Sequence, residues 1–284
     1  MIGKEIISIL KTNRAWIFII IIFAIPLVDL CMVSNQEGVW QKRVNKQEIL
    51  EIDAKLKALS EEEGTNFVSG WIIHPAKASY LSGSSHGHLT QTLLIWLMPL
   101  FVLNLVSDRY VLEYQKKYMN AILTRTSRRK YFISKIEASF LIPFVVFFVS
   151  LMVNFIGAQI IFRDGYNFNG LEVLGTNGGW FQYMYQYPNR MYLLYLFITA
   201  IAAGMCGIIT QCIAFVSKKY TITYLVSFFL WMGLIMYKYS VTYLIQPFTE
   251  YGLDYFLPAG VILLGITILI LTLTYIYKVK SDEL

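Results

Sequence analysis

The sequence is poor in charged residues and in cysteine. Only 15% of its residues are Asp, Glu, Lys or Arg, whereas a soluble globular domain carries about a quarter. Hydrophobic residues make up 56% of the chain, and the mean hydropathy is +0.53. The three cysteines lie in apolar stretches and are too few for a disulfide framework. This composition excludes a soluble enzyme and a disordered chain, and it predicts a helical protein that crosses a membrane several times.

The sequence also lacks the motifs of nucleotide binding and hydrolysis. The pattern G-x-x-x-x-G-K-S/T does not occur, so the chain has no P-loop. Residues 83–87 match G-x-S-x-G around Ser85, but that nucleophile motif requires a preceding strand, and none is predicted. His74, His86 and His88 have no cysteine cluster near them and are interpreted as loop residues. We therefore predict no catalytic residue, no metal site and no cofactor on this chain.

Six apolar runs are long enough to cross a bilayer as helices. A span needs about 20 mostly apolar residues, and these runs are continuous, which excludes the alternating pattern of a membrane β-barrel. The predicted fold is therefore an all-α integral membrane protein with six transmembrane helices. The predicted spans are residues 16–33, 89–106, 139–162, 191–216, 221–237 and 257–277.

The distribution of basic residues predicts the orientation. With both termini in the cytoplasm, the inner segments carry 15 of the 24 lysines and arginines, as the positive-inside rule requires. Topology explains the positive charge, so no nucleic-acid partner is expected. No Asn-x-Ser/Thr sequon occurs, which favours a bacterial plasma membrane. The predicted inner segments are residues 1–15, 107–138, 217–220 and 278–284.

Residues 1–15 have the pattern of an amphipathic helix. Ile2, Ile6 and Ile9 fall on one face, and charged residues take the other. We predict a helix lying at the inner membrane surface, in contact with lipid headgroups. The alternative is that these residues only begin the first span.

The largest outer segment covers residues 34–88. Its charged part, residues 41–63, predicts a helix with one apolar stripe. A helix this polar needs a partner for the stripe, which is either the second outer segment, residues 163–190, or a substrate. The stripe consists of Ile49, Ile52, Leu56 and Leu59.

The inner segment at residues 107–138 contains a second amphipathic pattern over residues 110–123. Three consecutive bases, Arg128, Arg129 and Lys130, then open the next helix. A short cytoplasmic helix between two spans can receive a push from a soluble partner and pass it to the membrane helices. The alternative is a charged loop that only satisfies topology.

Polar residues inside the spans are candidates for a transport pathway or for helix packing. Neutral amides more commonly hydrogen-bond a neighbouring helix. In the fourth span, Ala200/Gly204 and Ala203/Gly207 form small-x-x-x-small pairs that predict close packing against another helix. The polar candidates are Asp29, Asn104, Asn154 and Gln211.

The inner segment carries a local resemblance to a known family. Glu113 is followed by residues 125–131, which read Arg-Thr-Ser-Arg-Arg-Lys-Tyr, and then by Lys135. Together with six predicted spans and an N-terminal interfacial helix, this segment resembles the membrane subunit of ATP-binding-cassette (ABC) exporters of the ABC type-2 permease family. Thr126 stands where many members have proline, and the 55-residue first outer segment is larger than in compact members.

The resemblance implies a mechanical function without covalent chemistry on this chain. The helix after the second span would be a coupling helix that docks on a separate ABC ATPase subunit, which binds the ATP and Mg²⁺. A second permease, identical or related, would complete the path. The resemblance assigns ATPase coupling to Glu113, Tyr114, Lys117, Arg125, Arg128 and Arg129.

The high aromatic content and the few buried charges favour a hydrophobic or amphipathic cargo, with an antimicrobial peptide, an antibiotic or a lipid as examples. Three other classes remain open at the level of the sequence. They are a stand-alone secondary carrier, a membrane immunity or sensor protein that binds a peptide through residues 34–88, and a membrane hydrolase using Ser85.

Overall fold

The computed structural model of the protein is all-helical. It describes residues 2–36, 73–82, 93–118, 126–163, 186–248 and 252–280, with isolated positions between these ranges. Most of the outer helix expected over residues 41–63 lies outside the described residues, as do Ser85, His86, His88 and Arg125. The interpretations of these positions stay predictions.

We number the helices in chain order. A 3₁₀ turn follows α3, and π-helical turns lie between α4 and α5 and after α10. The helices are α1 (Ile2–Leu10), α2 (Asn13–Gln36), α3 (Pro75–Ala78), α4 (Met98–Val102), α5 (Asp108–Gln115), α6 (Arg128–Ile161), α7 (Pro188–Ser217), α8 (Tyr220–Met236), α9 (Thr242–Ile245) and α10 (Leu253–Tyr275).

Four helices, α2, α6, α7 and α10, are long and apolar enough to cross a membrane. The chain is therefore a multi-pass membrane protein, and apolar helices are confirmed at the first, third, fourth and sixth predicted spans. Helix α6 begins at Arg128, before the predicted start of the third span at residue 139, and this agrees with the prediction that the three bases open the helix. The inner segment thus ends inside a helix that continues into the membrane.

The second predicted span, residues 89–106, is not one regular helix. The helix breaks at Leu97, where α4 starts with Pro99 in its first turn, and a π-helical turn then leads into α5. Proline has no N–H and cannot bond the carbonyl four residues earlier, which is that of Ile95. The indole of Trp231 in α8 donates to this carbonyl at 2.9 Å instead. The break therefore fastens α8 to the second span.

The same arrangement recurs in the first span. Pro26 lies inside α2 and leaves the carbonyl of Ile22 without its helical donor. The hydroxyl of Ser150 in α6 donates to that carbonyl at 2.8 Å. At Pro99 and at Pro26, a carbonyl that would otherwise accept a hydrogen bond within its own helix accepts one from a neighbouring helix.

Helix α7 lies at the centre and packs along α6. In the most apolar stretch of each helix, 61% of α7 is buried inside the protein, against 17% of α10. A Cβ added at Gly207 would lie 1.9 Å from the carbonyl oxygen of Ser139, and one at Gly204 would lie 2.6 Å from the ring of Phe140. The predicted close packing of the fourth span is confirmed, and its partner is the third span.

Residues 73–82, which we call the outer plug because they belong to a predicted outer segment, fold in between α2, α6 and α7. Ala76, Ala78 and Tyr80 are buried. Buried backbone needs hydrogen-bond partners. The N–H of Tyr80 donates to Asn154 Oδ1 at 3.0 Å, and the N–H of Leu81 donates to the hydroxyl of Tyr192 at 3.4 Å.

Candidate functional site

Four charged side chains meet where α1, α5 and α6 come together. We call Glu5, Arg109, Glu113 and Lys135 the ionic cluster. Lys135 Nζ lies 2.8 Å from Glu113 Oε2 and also pairs with Glu5 of α1. Arg109 Nε donates to Glu113 Oε1 at 2.9 Å. The Lys135 side chain is only 3% exposed, whereas the Arg109 side chain is 29% exposed, so the cluster has a buried centre and reaches the surface at Arg109.

Helical spacing explains how each element presents its part of the cluster. Arg109 and Glu113 are four residues apart on α5, and Tyr131 and Lys135 are four residues apart on α6, so each pair shares a face. The Tyr131 hydroxyl donates to Glu113 Oε2 at 3.1 Å, which joins the two faces. Arg109 also donates to the carbonyl of Ser8. The cluster therefore joins the N-terminal helix to both α5 and α6.

The electrostatics of the cluster keep Glu113 charged. Burial by itself would raise the pKa of Glu113, but the Lys135 ammonium and the Arg109 guanidinium outweigh burial and hold this pKa below its ordinary value. Removing one partner of a buried ion pair is costly because it leaves an uncompensated charge. The members of the cluster therefore depend on one another for stability.

A second polar group lies beside the cluster and joins the start of α2 to α5 and α8. Arg14 pairs with Asp108. The Tyr224 hydroxyl lies 2.7 Å from Asn104 Oδ1 and 3.2 Å from Asp108 Oδ1, and with one proton it donates to one of them at a time. Burial raises the pKa of Asp108, although Arg14 and Tyr224 oppose this shift.

The residues predicted for ATPase coupling fall into two sets. Glu113 lies in the ionic cluster with its side chain 12% exposed. Lys117, Arg128 and Arg129 are exposed. Tyr114 is half-buried, with Lys218 Nζ lying 4.7 Å from its ring centroid. The structure thus separates an internal carboxylate from a cationic surface.

The amphipathic pattern over residues 110–123 does not form one continuous helix. Helix α5 ends at Gln115, and the chain turns through Lys116 and Lys117, whose φ of 58° is left-handed. A lysine in that conformation costs about 1 kcal/mol relative to glycine and ends a right-handed helix. The segment instead contains a short helix that continues from the second span and a sharp turn.

Helix α6 begins at Arg128, which confirms the prediction that the three bases open this helix. Ser127 caps the helix, its Oγ accepting from the N–H of Lys130 at 3.4 Å. Arg128, Arg129 and Lys130 are exposed in the first helical turn. Positive side chains there oppose the helix dipole, at a cost of about 0.3–1 kcal/mol each.

Two of the four polar residues inside the spans, Asn104 and Asn154, form hydrogen bonds to neighbouring elements. The amide of Asn154 donates to the Pro26 carbonyl at 2.7 Å and accepts from the outer plug. Asn104 donates to the carbonyl of Leu100 and accepts from α8. Asp29 is buried at 2% exposure. Gln211 is fully buried, and within the described ranges neither its amide nitrogen nor its oxygen is hydrogen-bonded.

Sequence reasoning missed the contacts that build the site. The sequence pattern places Glu5 on the polar face of α1 and Lys135 at the end of the inner-segment motif. It does not indicate that these two side chains form an ion pair. Arg14, Asp108 and Tyr224 were not singled out. The prolines inside the predicted spans did indicate where helices would make contact. Each proline leaves a carbonyl four residues earlier that needs a hydrogen-bond donor from another helix.

Comparison with known proteins places the chain in a family. No protein-family model and no solved structure matches it. It is 32% identical over 211 residues to the uncharacterized protein YybM of Bacillus subtilis, an alignment that covers 74% of this chain and 84% of YybM. The chain belongs to the YybM family. The relative comes from a Bacillus, in keeping with the predicted bacterial source. The name YybM states no activity, so no substrate or partner follows from membership of its family.

Proposed function

We propose that the chain is the permease subunit of an ABC exporter, driven by ATP that a separate ATPase subunit hydrolyses. The cargo would be hydrophobic or amphipathic, such as an antimicrobial peptide, an antibiotic or a lipid. The observation that carries the proposal is the exposed cationic turn at Arg128 and Arg129, next to a buried ionic cluster that reaches three helices.

The proposal includes six spans and cytoplasmic termini. Helix α8 has 17 residues, which at 1.5 Å per residue is about 25 Å and suits a short span. The second predicted span, residues 89–106, is helical from residue 93 onward apart from its break at Leu97, and Trp231 of α8 is hydrogen-bonded to it. Counting both as spans gives an even number and brings the ionic cluster and the cationic turn to the cytoplasmic side, in agreement with the positive-inside rule.

The cationic turn fits an acidic docking partner. Arg128, Arg129 and Lys130 are exposed in the first turn of α6 and bring positive charge to the surface. A partner surface with carboxylates would be attracted to this charge, which steers association electrostatically. Lys117 lies on the same inner segment, beyond the end of α5. Lys117, Arg128 and Arg129 are therefore assigned as the partner-contacting residues.

Glu113 has a different role in this proposal. Its side chain is engaged by Lys135, Arg109 and Tyr131, so it is a positioning residue inside the protein. A push on α5 or on the start of α6 is passed through Lys135 to Glu5 of α1 and through Arg109 to the Ser8 carbonyl. The interfacial helix thereby moves together with the coupling segment.

The exposed helices leave room for a second permease. Helix α10 presents large apolar side chains along most of its length, among them Val261, Leu269 and Leu273. Lipid or another permease subunit covers such a surface in a membrane. We propose that two subunits, identical or related, flank the cargo path.

A stand-alone secondary carrier is the second candidate, and the buried Asp29 favours it. A carboxylate inside a span marks ion or proton pathways in many carriers. Under that alternative, Asp29→Asn abolishes transport and no ATPase is required. The third possibility, peptide binding through residues 34–88, depends on residues that lie mostly outside the described ranges.

The test is purification of the chain from its native membrane in mild detergent, with mass spectrometry of the proteins that accompany it. We expect a stoichiometric P-loop ATPase with the wild-type chain. Arg128→Glu/Arg129→Glu should reduce its recovery at least tenfold. The control is Lys219→Glu, which changes an exposed lysine on the loop between α7 and α8 and should leave the recovery of the ATPase unchanged. Absence of any P-loop ATPase from the wild-type preparation in several detergents would contradict the proposal and favour the carrier.

A further inference from the structure

A cavity of about 230 Å³ opens between α1, the start of α2 and α5. It exists because the chain bends between α1 and α2, where the Thr12 hydroxyl donates to the Ile9 carbonyl at 2.6 Å and closes the turn. The volume is below the usual range for small-molecule pockets, about 300–1,000 Å³. A compact polar group with a short apolar extension fits this size better than a large ligand.

The lining of the cavity is amphipathic. Ile9 and Leu112 supply apolar surface, and Arg14, Arg109 and Lys116 supply positive charge. Two carboxylates also line it, but each is engaged with a base, Asp108 with Arg14 and Glu113 with Lys135 and Arg109. The bases outnumber the acids, so the cavity suits an anion attached to an apolar body.

Two of the bases are available to an anion. Arg14 pairs with Asp108 through Nη1, its side chain is 56% exposed, and a guanidinium has further N–H donors. Lys116 is exposed, and among the residues that the structure describes it forms no ion pair. Arg14 stands at the mouth of the cavity on α2, and Lys116 stands on the turn after α5.

The cavity lies at the depth of the lipid headgroups. Trp16 is two residues beyond Arg14, its side chain is half exposed, and its indole N–H donates to the Leu10 carbonyl at 2.8 Å. Tryptophan concentrates at the interface between membrane and water. The amphipathic helix α1 lies next to it, so the inner leaflet reaches the mouth of the cavity.

We propose that this cavity binds the phosphate headgroup of an anionic phospholipid from the inner leaflet. Arg14 and Lys116 contact the phosphate, and Ile9 and Leu112 pack against the glycerol and the first part of the acyl chains. The bound lipid sits as a wedge between α1 and α5 and holds the ionic cluster in its observed geometry. The proposal does not depend on the ATPase or on the cargo.

The test is native mass spectrometry of the full chain in detergent, titrated with phosphatidylglycerol and, in parallel, with phosphatidylcholine. We expect the wild-type chain to retain phosphatidylglycerol at lower concentration than phosphatidylcholine. Each basic side chain near an anionic membrane surface contributes about fivefold to affinity, so Lys116→Gln should weaken phosphatidylglycerol binding about fivefold and Arg14→Gln/Lys116→Gln more than tenfold. Lys116→Gln leaves the Arg14–Asp108 pair intact, so it guards against a loss of folding.

Arg128→Gln/Arg129→Gln is the matched control, since it removes two cytoplasmic charges outside the cavity and should leave lipid retention unchanged. Equal binding of the two lipids, or equal loss in the control and in the cavity variants, would overturn the proposal. In a further experiment, inorganic phosphate is added at millimolar concentration to the protein with bound phosphatidylglycerol. If it displaces phosphatidylglycerol completely and gives the same thermal stabilisation, the cavity is a site for soluble phosphate and the lipid assignment is wrong.

Discussion

The two ends of the helix bundle are held by different chemistry. At the ionic cluster, Lys135 and Glu113 join α1, α5 and α6 through charge. At the outer plug, Asn154 and Tyr192 hold the backbone of residues 73–82 through neutral hydrogen bonds. Both ends are buried, so the difference is not one of exposure.

The difference indicates which end can move. Glu113 has three donors around it, Lys135, Arg109 and Tyr131, so it can exchange one for another as helices shift. Asn154 uses both ends of its amide at fixed backbone groups of α2 and the outer plug. We infer that displacement enters at the ionic cluster, while the outer plug stays in place until its hydrogen bonds are broken together.

The largest expected effect comes from breaking the ionic cluster. Lys135→Met leaves Glu5 and Glu113, with side chains 17% and 12% exposed, without their shared cation. Loss of one partner from a buried pair costs about 3–5 kcal/mol. We expect a large fall in the midpoint of thermal unfolding, and proteolysis near the N-terminus should accelerate because α1 is released. Lys135→Met/Glu113→Gln should recover part of the stability. An unchanged midpoint of thermal unfolding in Lys135→Met would contradict the stabilising role of the cluster.

Breaking the outer plug should have the next largest effect. Asn154→Leu removes the acceptor of the Tyr80 N–H and the donor to the Pro26 carbonyl. A buried group left without its partner costs about 1–3 kcal/mol. We expect lower thermal stability and, in Ala78→Cys, faster reaction with an external maleimide when Asn154→Leu is also present. Gln211→Leu is the matched control, because Gln211 is as buried but has no hydrogen bond to lose among the described residues.

The contact between α6 and α7 links the two ends. Gly207→Ala places a Cβ 1.9 Å from the carbonyl oxygen of Ser139, so the helices must separate. Overpacking of this kind costs about 1–3 kcal/mol. We expect both ends to loosen together, measured by maleimide labelling at Ala78→Cys and proteolysis at α1. Gly265→Ala, where the added Cβ meets nothing within 4 Å, should change neither readout.

The smallest expected effect is that of pH. It should distinguish the two ends, because the outer plug and the ionic cluster lose stability over different pH ranges. Burial lowers the pKa of His74 in the outer plug from 6.5 to about 4, so the unfolded state takes up a proton first and stability falls as pH drops from 6.5 towards 4. The lowered pKa of Glu113 means that its contribution is present above about 4.5 and is lost only below that value.

Mild acid should therefore loosen the outer plug while the ionic cluster holds. We expect the midpoint of thermal unfolding to decrease between pH 6.5 and 4.5 in the wild-type chain and to decrease less in His74→Asn, which can still cap α3. The His74 Nδ1 accepts from the N–H of Ala76 at 3.1 Å, and an asparagine side chain supplies a similar acceptor. An identical pH profile in both proteins would contradict this assignment.

Hydropathy alone predicted the long helices, because burial in lipid requires long apolar runs. The start of α6 was predicted at the three bases that begin with Arg128, which is where the helix begins. Hydropathy missed the break at Leu97 and the π-helical turn. Pro99 was the visible sign, but the donor that compensates for it, Trp231, lies 136 residues from Ile95 along the chain.

The candidate site was predicted in parts. The motif selected Glu113 and the exposed bases Arg128 and Arg129, and their roles stay predictions. The partners of Glu113 could not be predicted, because Lys135 and Glu5 are 130 residues apart in the sequence and their pairing depends on how α1 lies on α6. Small-residue spacing in α7 predicted a close contact but not its partner, which only the packing of α6 reveals.

The central claim is that exposed bases on the inner segment couple this chain to an ATPase. The most direct measurement is ATP hydrolysis by a fixed amount of the partner ATPase, added to proteoliposomes that contain the wild-type chain, Arg128→Glu/Arg129→Glu or the Lys219→Glu control. The account predicts that the chain stimulates hydrolysis by its partner, that the double variant lowers this stimulation at least tenfold, and that the control retains it. Hydrolysis at the same rate with the wild-type chain, with the double variant and with no chain at all would contradict it.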